Sequence, residues 1–103
     1  MIYLGADHGG FALKEQLKTW LNNWQMAYTD LGAATLDPAD DYPDFALAVA
    51  EAVAKAPAEH RGVVACRSAA GVVIAANKVR KVRAVAPLTV EAAKHAREHN
   101  DAN

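Results

Sequence analysis

The sequence lacks the features of secreted, membrane-spanning and nucleic-acid-binding proteins. Its one cysteine, Cys66, cannot build an internal disulfide framework, and such usage suits a reducing compartment. No apolar run approaches the roughly 20 residues of a transmembrane helix, and the amino terminus lacks the basic and apolar regions of a signal peptide. The net charge of −1 comes from interspersed acids and bases, without a basic stripe or an acidic tail. We therefore expect a cytoplasmic protein that contacts neither nucleic acid nor membrane.

The 103 residues, of which 52% are hydrophobic, suffice for one domain spanning residues 1–103. Short apolar runs alternate with helical periodicities and turn residues. Strands are predicted at 2–6, 26–31, 62–65 and 82–86. Helices are predicted at 13–24, between an Asp41 cap and Pro57, at 71–79, and from a Thr89 cap to about His99.

In the first predicted helix, the apolar positions recur at helical spacing, and charged positions occupy the other side. The apolar positions are Leu13, Leu17, Trp20, Leu21 and Trp24. The charged positions are Lys14, Glu15 and Lys18. This pattern predicts that the leucine and tryptophan side chains face the sheet.

Strict alternation of strands and helices predicts an α/β protein with a doubly wound, Rossmann-like parallel sheet in three αβα layers. Ligands of such folds bind at the carboxyl ends of strands, where the strand order reverses. If the first and third strands are neighbours, residues 7–10 and 66–71 face each other across that crevice. The fourth predicted strand, 82–86, would then form an open edge able to pair with another chain.

Cys66 ends the third predicted strand and precedes a turn of small residues that leads into a helix. The first N–H groups of a helix have no partner within the helix, and the helix dipole is positive there. Such a turn attracts anions and favours the thiolate form of a nearby thiol. The segment therefore predicts a thiolate base beside an anionic intermediate.

Four segments, in order and at matching spacing, resemble the ribose-5-phosphate isomerase B family, which includes the galactose-6-phosphate isomerase subunits. They are GADHGGFALK (5–14), DYPDFA (41–46), the Cys66 turn with IAANKVRKVRA (74–84), and AREHNDAN (96–103). The resemblance implies interconversion of aldose and ketose phosphates without metal or organic cofactor, in a homodimer or higher oligomer with shared sites. It also implies that the family's last strand and long C-terminal helix, whose arginines bind phosphate, do not occur within these residues.

The resemblance assigns roles residue by residue. The catalytic residues it implies are Cys66 as the base that acts through a cis-enediolate, Ser68 in the turn, and His99 for opening the sugar ring. The substrate-binding residues it implies are Asp7, His8, Arg67, Gly71 and Asn100. Ribose 5-phosphate is the expected substrate and ribulose 5-phosphate the expected product.

Structural interpretations stand beside these roles. Cys66 could be an inert buried thiol, Asp7 a cap of the first helix, and His99 a complement to a helix dipole. Gly9 and Gly10 permit close approach of a ligand or simply form the turn. Tyr42 lines the site or covers the second helix. His95 and His99 are four residues apart but lack a third metal ligand, so no metal is expected. Asn77 and Lys78 are predicted to be structural.

One departure from the family pattern lies in the turn itself. The family turn has the form Gly-Thr-Gly-x-Gly, whereas this chain has Arg67-Ser68-Ala69-Ala70-Gly71. If position 67 or 69 requires a positive φ, the substituted residue strains the turn by about 1–2 kcal/mol. Arg67 could hold phosphate or extend into solvent.

The departures leave two alternatives to an isomerase. The first is a non-catalytic member that binds a phosphorylated sugar or pairs with a full-length isomerase. The second is a purely structural oligomerising domain, which would show no effect of Cys66→Ala beyond stability.

Overall fold

A computed structural model describes residues 1–103. Its strands are β1 (Ile2–Ala6), β2 (Tyr28–Asp30) and β3 (Arg61–Ala65). Its helices are α1 (Phe11–Asn23), α2 (Tyr42–Ala54), α3 (Ala70–Ala76) and α4 (Val90–Asn100). The longest helices have 13 residues, and no helix combines the length and the hydropathy that crossing a bilayer requires.

The sheet is parallel and has the strand order β2-β1-β3, which confirms the doubly wound α/β fold. Ile2 of β1 is in register with Tyr28 of β2 on one side and with Arg61 of β3 on the other. The chain therefore runs from β1 to one neighbour and then crosses to the other neighbour. The reversal lies between β1 and β3, where this class of fold binds its ligands.

The helices cover both faces of the sheet, in the predicted three layers. Gly5 and Gly62 face α2, because a Cβ on either residue would lie 2.7 Å from a methyl group of Val49. Side chains alternate along a strand, so Val63 faces the opposite side, where it lines a cavity with Leu17 of α1. The core includes the fully buried Leu4, Val53 and Val72, contributed by β1, α2 and α3.

Both predicted helix caps are confirmed. The Asp41 carboxylate accepts a hydrogen bond from the backbone N–H of Tyr42, and Pro43 lies in the first turn of α2. The Thr89 hydroxyl accepts from the N–H of Ala92 at the start of α4. These bonds satisfy donors that have no partner within the helix.

The fourth predicted strand is wrong, because residues 82–86 form no strand. Asn103 lies between this segment and β3: its carbonyl oxygen accepts from Gly62 N–H at 2.9 Å, and its N–H donates to the Arg83 carbonyl at 3.0 Å. The Asn103 side chain also accepts from Arg83 N–H. The segment therefore stands away from β3, across a cavity of about 550 Å³, and the sheet edge is β3 itself.

Asn77 also binds the segment 82–86, through both backbone groups of Ala84. Its side-chain oxygen accepts from the N–H of Ala84 at 2.8 Å, and its amide nitrogen donates to the carbonyl of Ala84 at 2.9 Å. This pair of bonds is the structural role predicted for Asn77.

The apolar side of α1 faces the sheet, but the burial of Lys14 was not predicted. Leu13, Leu17 and Trp20 line a cavity together with residues of β1 and β3, and Leu21 is buried. Leu13, Trp20 and Trp24 remain exposed, whereas Lys14 is only 2% exposed. The reason is an ion pair with β2, because the Lys14 ammonium lies 2.6 Å from the Asp30 carboxylate. Asp30, at the end of β2, thus stabilises Lys14 in the interior. The helical period of α1 does not reveal this partner.

Candidate active site

The loops that follow β1 and β3 touch each other, as the neighbouring positions of these strands predicted. A Cβ on Gly9 would lie 3.0 Å from the backbone nitrogen of Arg67. A Cβ on Gly10 would lie 2.3 Å from the carbonyl carbon and oxygen of Ala65. Only glycine permits this approach at position 10, and it brings Asp7 and His8 beside the Cys66 turn.

Asp7 shapes the loop after β1. It is 7% exposed, and its Oδ1 accepts hydrogen bonds from the N–H groups of Gly9 at 2.9 Å and Gly10 at 3.1 Å. The N-cap residue of α1 is Gly10 and not Asp7. The Asp7 carboxylate nevertheless accepts the backbone N–H of that N-cap residue. Its Oδ2 makes no hydrogen bond within the protein and is left to accept from a ligand.

Cys66 is a free, half-buried thiol at the end of β3. Its Sγ accepts a hydrogen bond from the backbone N–H of Ala69 at 3.2 Å. A donor at this distance stabilises negative charge on sulfur. The turn therefore folds back on its own cysteine and supplies at least one donor to it.

Ala69 has φ +67°, in the left-handed region that favours glycine. Arg67, the other position that departs from the family pattern, does not have a positive φ. Of the two positions, the strain expected from the lost glycines therefore falls on Ala69 alone. Arg67 and Ser68 have exposed side chains beside Cys66.

Tyr42 lies over the start of α3. A Cβ on Gly71 would lie 2.5 Å from Cε1 of the Tyr42 ring. The tyrosine thus packs on the helix that follows the Cys66 turn and occupies the room a side chain at Gly71 would need. Of the two interpretations left open for Tyr42, this contact fits a place beside the Cys66 turn.

His8 has a partner, Asp40, that no sequence motif predicted. The Oδ1 of Asp40 lies 2.9 Å from the ring nitrogen Nδ1 of His8 and accepts the backbone N–H of His8 at 2.8 Å. The hydrogen bond to Asp40 is the main cause that raises the pKa of His8, opposed by burial and supported by the charge of Asp7. Asp40 lies 32 residues away in a polar loop, so no local pattern indicates the pair.

His99 and Asn100 are not brought to this crevice. Both are exposed at the end of α4, and no hydrogen bond joins either one to the Cys66 turn. The His99 ring packs against the His95 ring instead, with centroids 4.3 Å apart and ring planes tilted by 35°. No group of three or more His, Cys, Asp or Glu side chains is arranged to hold a metal ion.

Comparison with known proteins agrees with this geometry. The sequence model of the Ribose/Galactose Isomerase family matches residues 2–103. The chain belongs to this family. A probable ribose-5-phosphate isomerase B of Mycoplasma genitalium is 39% identical over 102 residues, and the ribose-5-phosphate isomerase B of Mycolicibacterium paratuberculosis is 43% identical over 101 residues.

The fold of this chain also matches the fold of a solved family member. The crystal structure of ribose-5-phosphate isomerase B from Mycoplasma genitalium with bound ribulose-5-phosphate superposes with a TM-score of 0.94 at 39% identity. The alignment covers 99% of this chain and 67% of that one. Sequence alignment covers 98% of this chain and 63% of the M. paratuberculosis protein, so the chain spans about two thirds of the length of these family members.

Proposed function

We propose that the protein interconverts an aldose and a ketose phosphate, with ribose 5-phosphate converted to ribulose 5-phosphate. The observation that carries the proposal is the contact between the loops after β1 and β3, which gathers Asp7, His8 and Cys66 at the strand-order reversal. Family membership supports the reaction class, and a relative of the same fold has been crystallised with ribulose-5-phosphate bound.

The reaction moves one proton between adjacent carbons of the open-chain sugar. The Cys66 thiolate removes the proton from C-2, and the electron pair of that C–H bond forms the double bond of a cis-enediolate. The same proton returns to C-1 from the thiol, and the proton of the C-2 hydroxyl passes to the C-1 oxygen, so that C-2 becomes the ketone carbon and C-1 carries a hydroxyl. Placing one base within reach of both carbons lets a single residue serve both steps.

The enediolate carries negative charge on oxygen, which preoriented donors stabilise. The Cys66 turn carries the exposed Ser68 hydroxyl two residues after the thiol, and Gly71 leaves room at the start of α3 for the Tyr42 ring. Asp7 Oδ2 is free to accept from a sugar hydroxyl, which would hold the substrate in register with the thiolate.

The two other groups near the crevice are basic and suit a phosphate. His8, with its raised pKa, and Arg67, with its exposed guanidinium, border the contact between the two loops. Both can donate charge-assisted hydrogen bonds to a phosphate oxygen. They are the phosphate-binding groups that this part of the chain offers.

We propose a homodimer as the active form. His99 and Asn100 are exposed and make no hydrogen bond to the crevice of their own chain. A second subunit could present its copies of these residues to the crevice, where the histidine would assist ring opening and the asparagine would bind hydroxyls. This arrangement uses residues that are otherwise without a function in the chain.

The test is conversion of ribose 5-phosphate to ribulose 5-phosphate by the purified 103-residue chain, with Cys66→Ala and Cys66→Ser in parallel. Turnover that falls at least about 100-fold in both variants, as expected for loss of a positioned base, supports Cys66 as the base. Exposed Lys55→Ala is the matched control, because this residue lies at the far end of α2, and it should retain full turnover.

Two outcomes contradict the proposal. Turnover that survives in Cys66→Ala excludes Cys66 as the base. A folded chain with no turnover is not an isomerase by itself, and binding of ribose 5-phosphate to it would favour the alternative of a non-catalytic sugar-phosphate-binding member.

A further inference from the structure

We propose that Asp40 is a positioning residue for phosphate binding: it holds the His8 imidazole through Nδ1 and keeps it charged, so that Nε2–H is presented to the phosphate of the substrate. The inference rests on the proposed function for the identity of the ligand. The pairing of His8 with Asp40 rests on contacts within this chain alone.

Asp40 fixes the orientation of the His8 ring. One oxygen of Asp40 accepts both the backbone N–H of His8 at 2.8 Å and its ring Nδ1–H at 2.9 Å. Two bonds from one residue to one atom hold the imidazole in a single orientation. The other ring nitrogen, Nε2, lies on the opposite side of the ring and makes no hydrogen bond within the protein.

The loop that carries Asp40 is itself braced. The Asp37 carboxylate accepts from the N–H of Ala39 at 2.9 Å, and the Asp37 carbonyl accepts from the N–H of Asp40 at 3.2 Å. Such a turn presents the Asp40 side chain to the β1 loop without help from a ligand. The site for the imidazole is therefore formed before substrate arrives, which lowers the entropic cost of binding.

Asp40 also gains electrostatically from its pairing with His8. The Asp40 side chain is only 10% exposed, and its Oδ2 is buried without any hydrogen-bond partner. A buried carboxylate without a counter-ion is strongly unfavourable, so a positive charge on the adjacent imidazole stabilises the Asp40 carboxylate. His8, one third exposed, can carry that charge and still reach a ligand.

The groups around His8 set the balance of charge. Asp40 faces it from the β2–α2 loop and Asp7 from its own loop, and both favour the protonated ring. Arg67, from the β3–α3 turn, opposes protonation. Removing Asp40 leaves Asp7 against burial and Arg67, so the hydrogen bond to Asp40 is the largest single influence that favours the charged histidine.

The experiment follows the His8 ring by NMR titration of the full chain, with His8→Gln to assign its signal among the four histidines. Asp40→Asn keeps the shape and the accepting oxygen but removes the charge. The pKa of His8 should fall toward its ordinary value in Asp40→Asn and stay raised in Asp41→Asn. Asp41 is the matched control, because it is the next residue, carries the same charge and caps α2 instead.

The ligand side is tested with inorganic phosphate and with ribose 5-phosphate. We expect the Kd of each to rise about fivefold in Asp40→Asn near neutral pH, the difference between a charged and a neutral hydrogen bond. If the chain turns over, KM for ribose 5-phosphate should rise by a similar factor with kcat nearly unchanged. Asp40→Glu should restore part of the affinity, because it returns the charge.

The outcomes separate this inference from the proposed function. An unchanged His8 titration in folded Asp40→Asn overturns it, whether or not the chain is an isomerase. A lowered pKa with unchanged affinity for both ligands also overturns it, since the histidine then does not bind phosphate. A lowered pKa with weakened binding supports it even if no turnover is found.

Discussion

The backbone N–H of Ala69 donates a hydrogen bond to Sγ of Cys66 at 3.2 Å, and Ala69 makes that bond from a left-handed conformation at φ +67°. The strain and the donor therefore belong to the same residue. A chain that bends back sharply after β3 aims its N–H at the thiol, and an L-residue at the bend opposes that geometry. The strained conformation that directs the Ala69 N–H at the Cys66 thiol therefore lowers the stability of the protein.

Ala69→Gly should stabilise the protein by about 1 kcal/mol. Glycine adopts a positive φ without steric cost, and this gain exceeds the loss from the more flexible unfolded chain. Urea unfolding followed by circular dichroism measures the difference. Ala70→Gly is the control: this residue begins α3 without a positive φ, so the same change should destabilise by about 0.5–1 kcal/mol. A lower stability for Ala69→Gly would show that the turn is not strained there.

Gly10→Ala should separate the two loops of the site. The new Cβ would lie 2.3 Å from the backbone of Ala65, which cannot move without disturbing β3. We expect a loss of about 2–3 kcal/mol in the free energy of unfolding, typical of overpacking. Any isomerase activity should fall as well.

Gly9→Ala introduces a smaller overlap than Gly10→Ala and should cost less stability. Its Cβ would lie 3.0 Å from the backbone nitrogen of Arg67, in a turn that can shift by a few tenths of an ångström. We expect a cost below about 1 kcal/mol from this smaller overlap. Equal effects of the two variants in thermal unfolding would show that the contact at Ala65 does not limit the approach of the loops.

The ion pairs of Asp30 should make stability depend on acidity. Burial raises the pKa of Asp30, but hydrogen bonds from Lys14, Gly32 and Lys18 outweigh it and hold the pKa below its ordinary value. The stabilisation is therefore present above the ordinary carboxyl pKa and is lost as the pH falls through the lowered one. Urea unfolding of the native chain and Asp30→Asn at several pH values should show a difference that disappears in acid. A difference that persists in acid would exclude the ionised carboxylate as its source.

Lys14→Met should destabilise the protein by about 3 kcal/mol, because it leaves the Asp30 carboxylate partly buried with only one lysine beside it. The double variant Lys14→Met with Asp30→Leu removes both charges and should recover most of the loss. The exposed Lys55→Met is the control and should change stability by less than about 0.5 kcal/mol. Denaturant midpoints of the four chains provide the test, and a double variant no better than the single one would contradict the ion-pair explanation.

Much of the site region could be predicted because its signals are local. Asp7 and His8 directly follow one apolar run and Cys66 follows another, and parallel strands bring such ends to one edge of a sheet. The caps at Asp41 and Thr89 have equally local signatures. Asp40 had none, since its partner is 32 residues away and the contact depends on how two loops pack.

Two further expectations failed for a similar reason. The apolar run at 82–86 has the composition of a strand, but a strand needs a neighbour, and Asn103 occupies the position beside β3. The helical period of α1 predicts that Lys14 lies at the surface, but its ion pair with Asp30 stabilises it in the interior. In both cases residues distant in sequence supply the competing interaction.

The sequence by itself determined the three strands β1 to β3 and the four helices, the parallel sheet, the lone thiol after β3 and the family. These follow from periodicity, caps and motifs, which act over a few residues or are written into the chain directly. Only the tertiary structure decided which residues pair across the fold: His8 with Asp40, Lys14 with Asp30, and Asn103 with β3. The physical reason is that charge pairs and sheet edges gain their energy from the nearest partner in space, and distance in space is set by the packing of the whole chain.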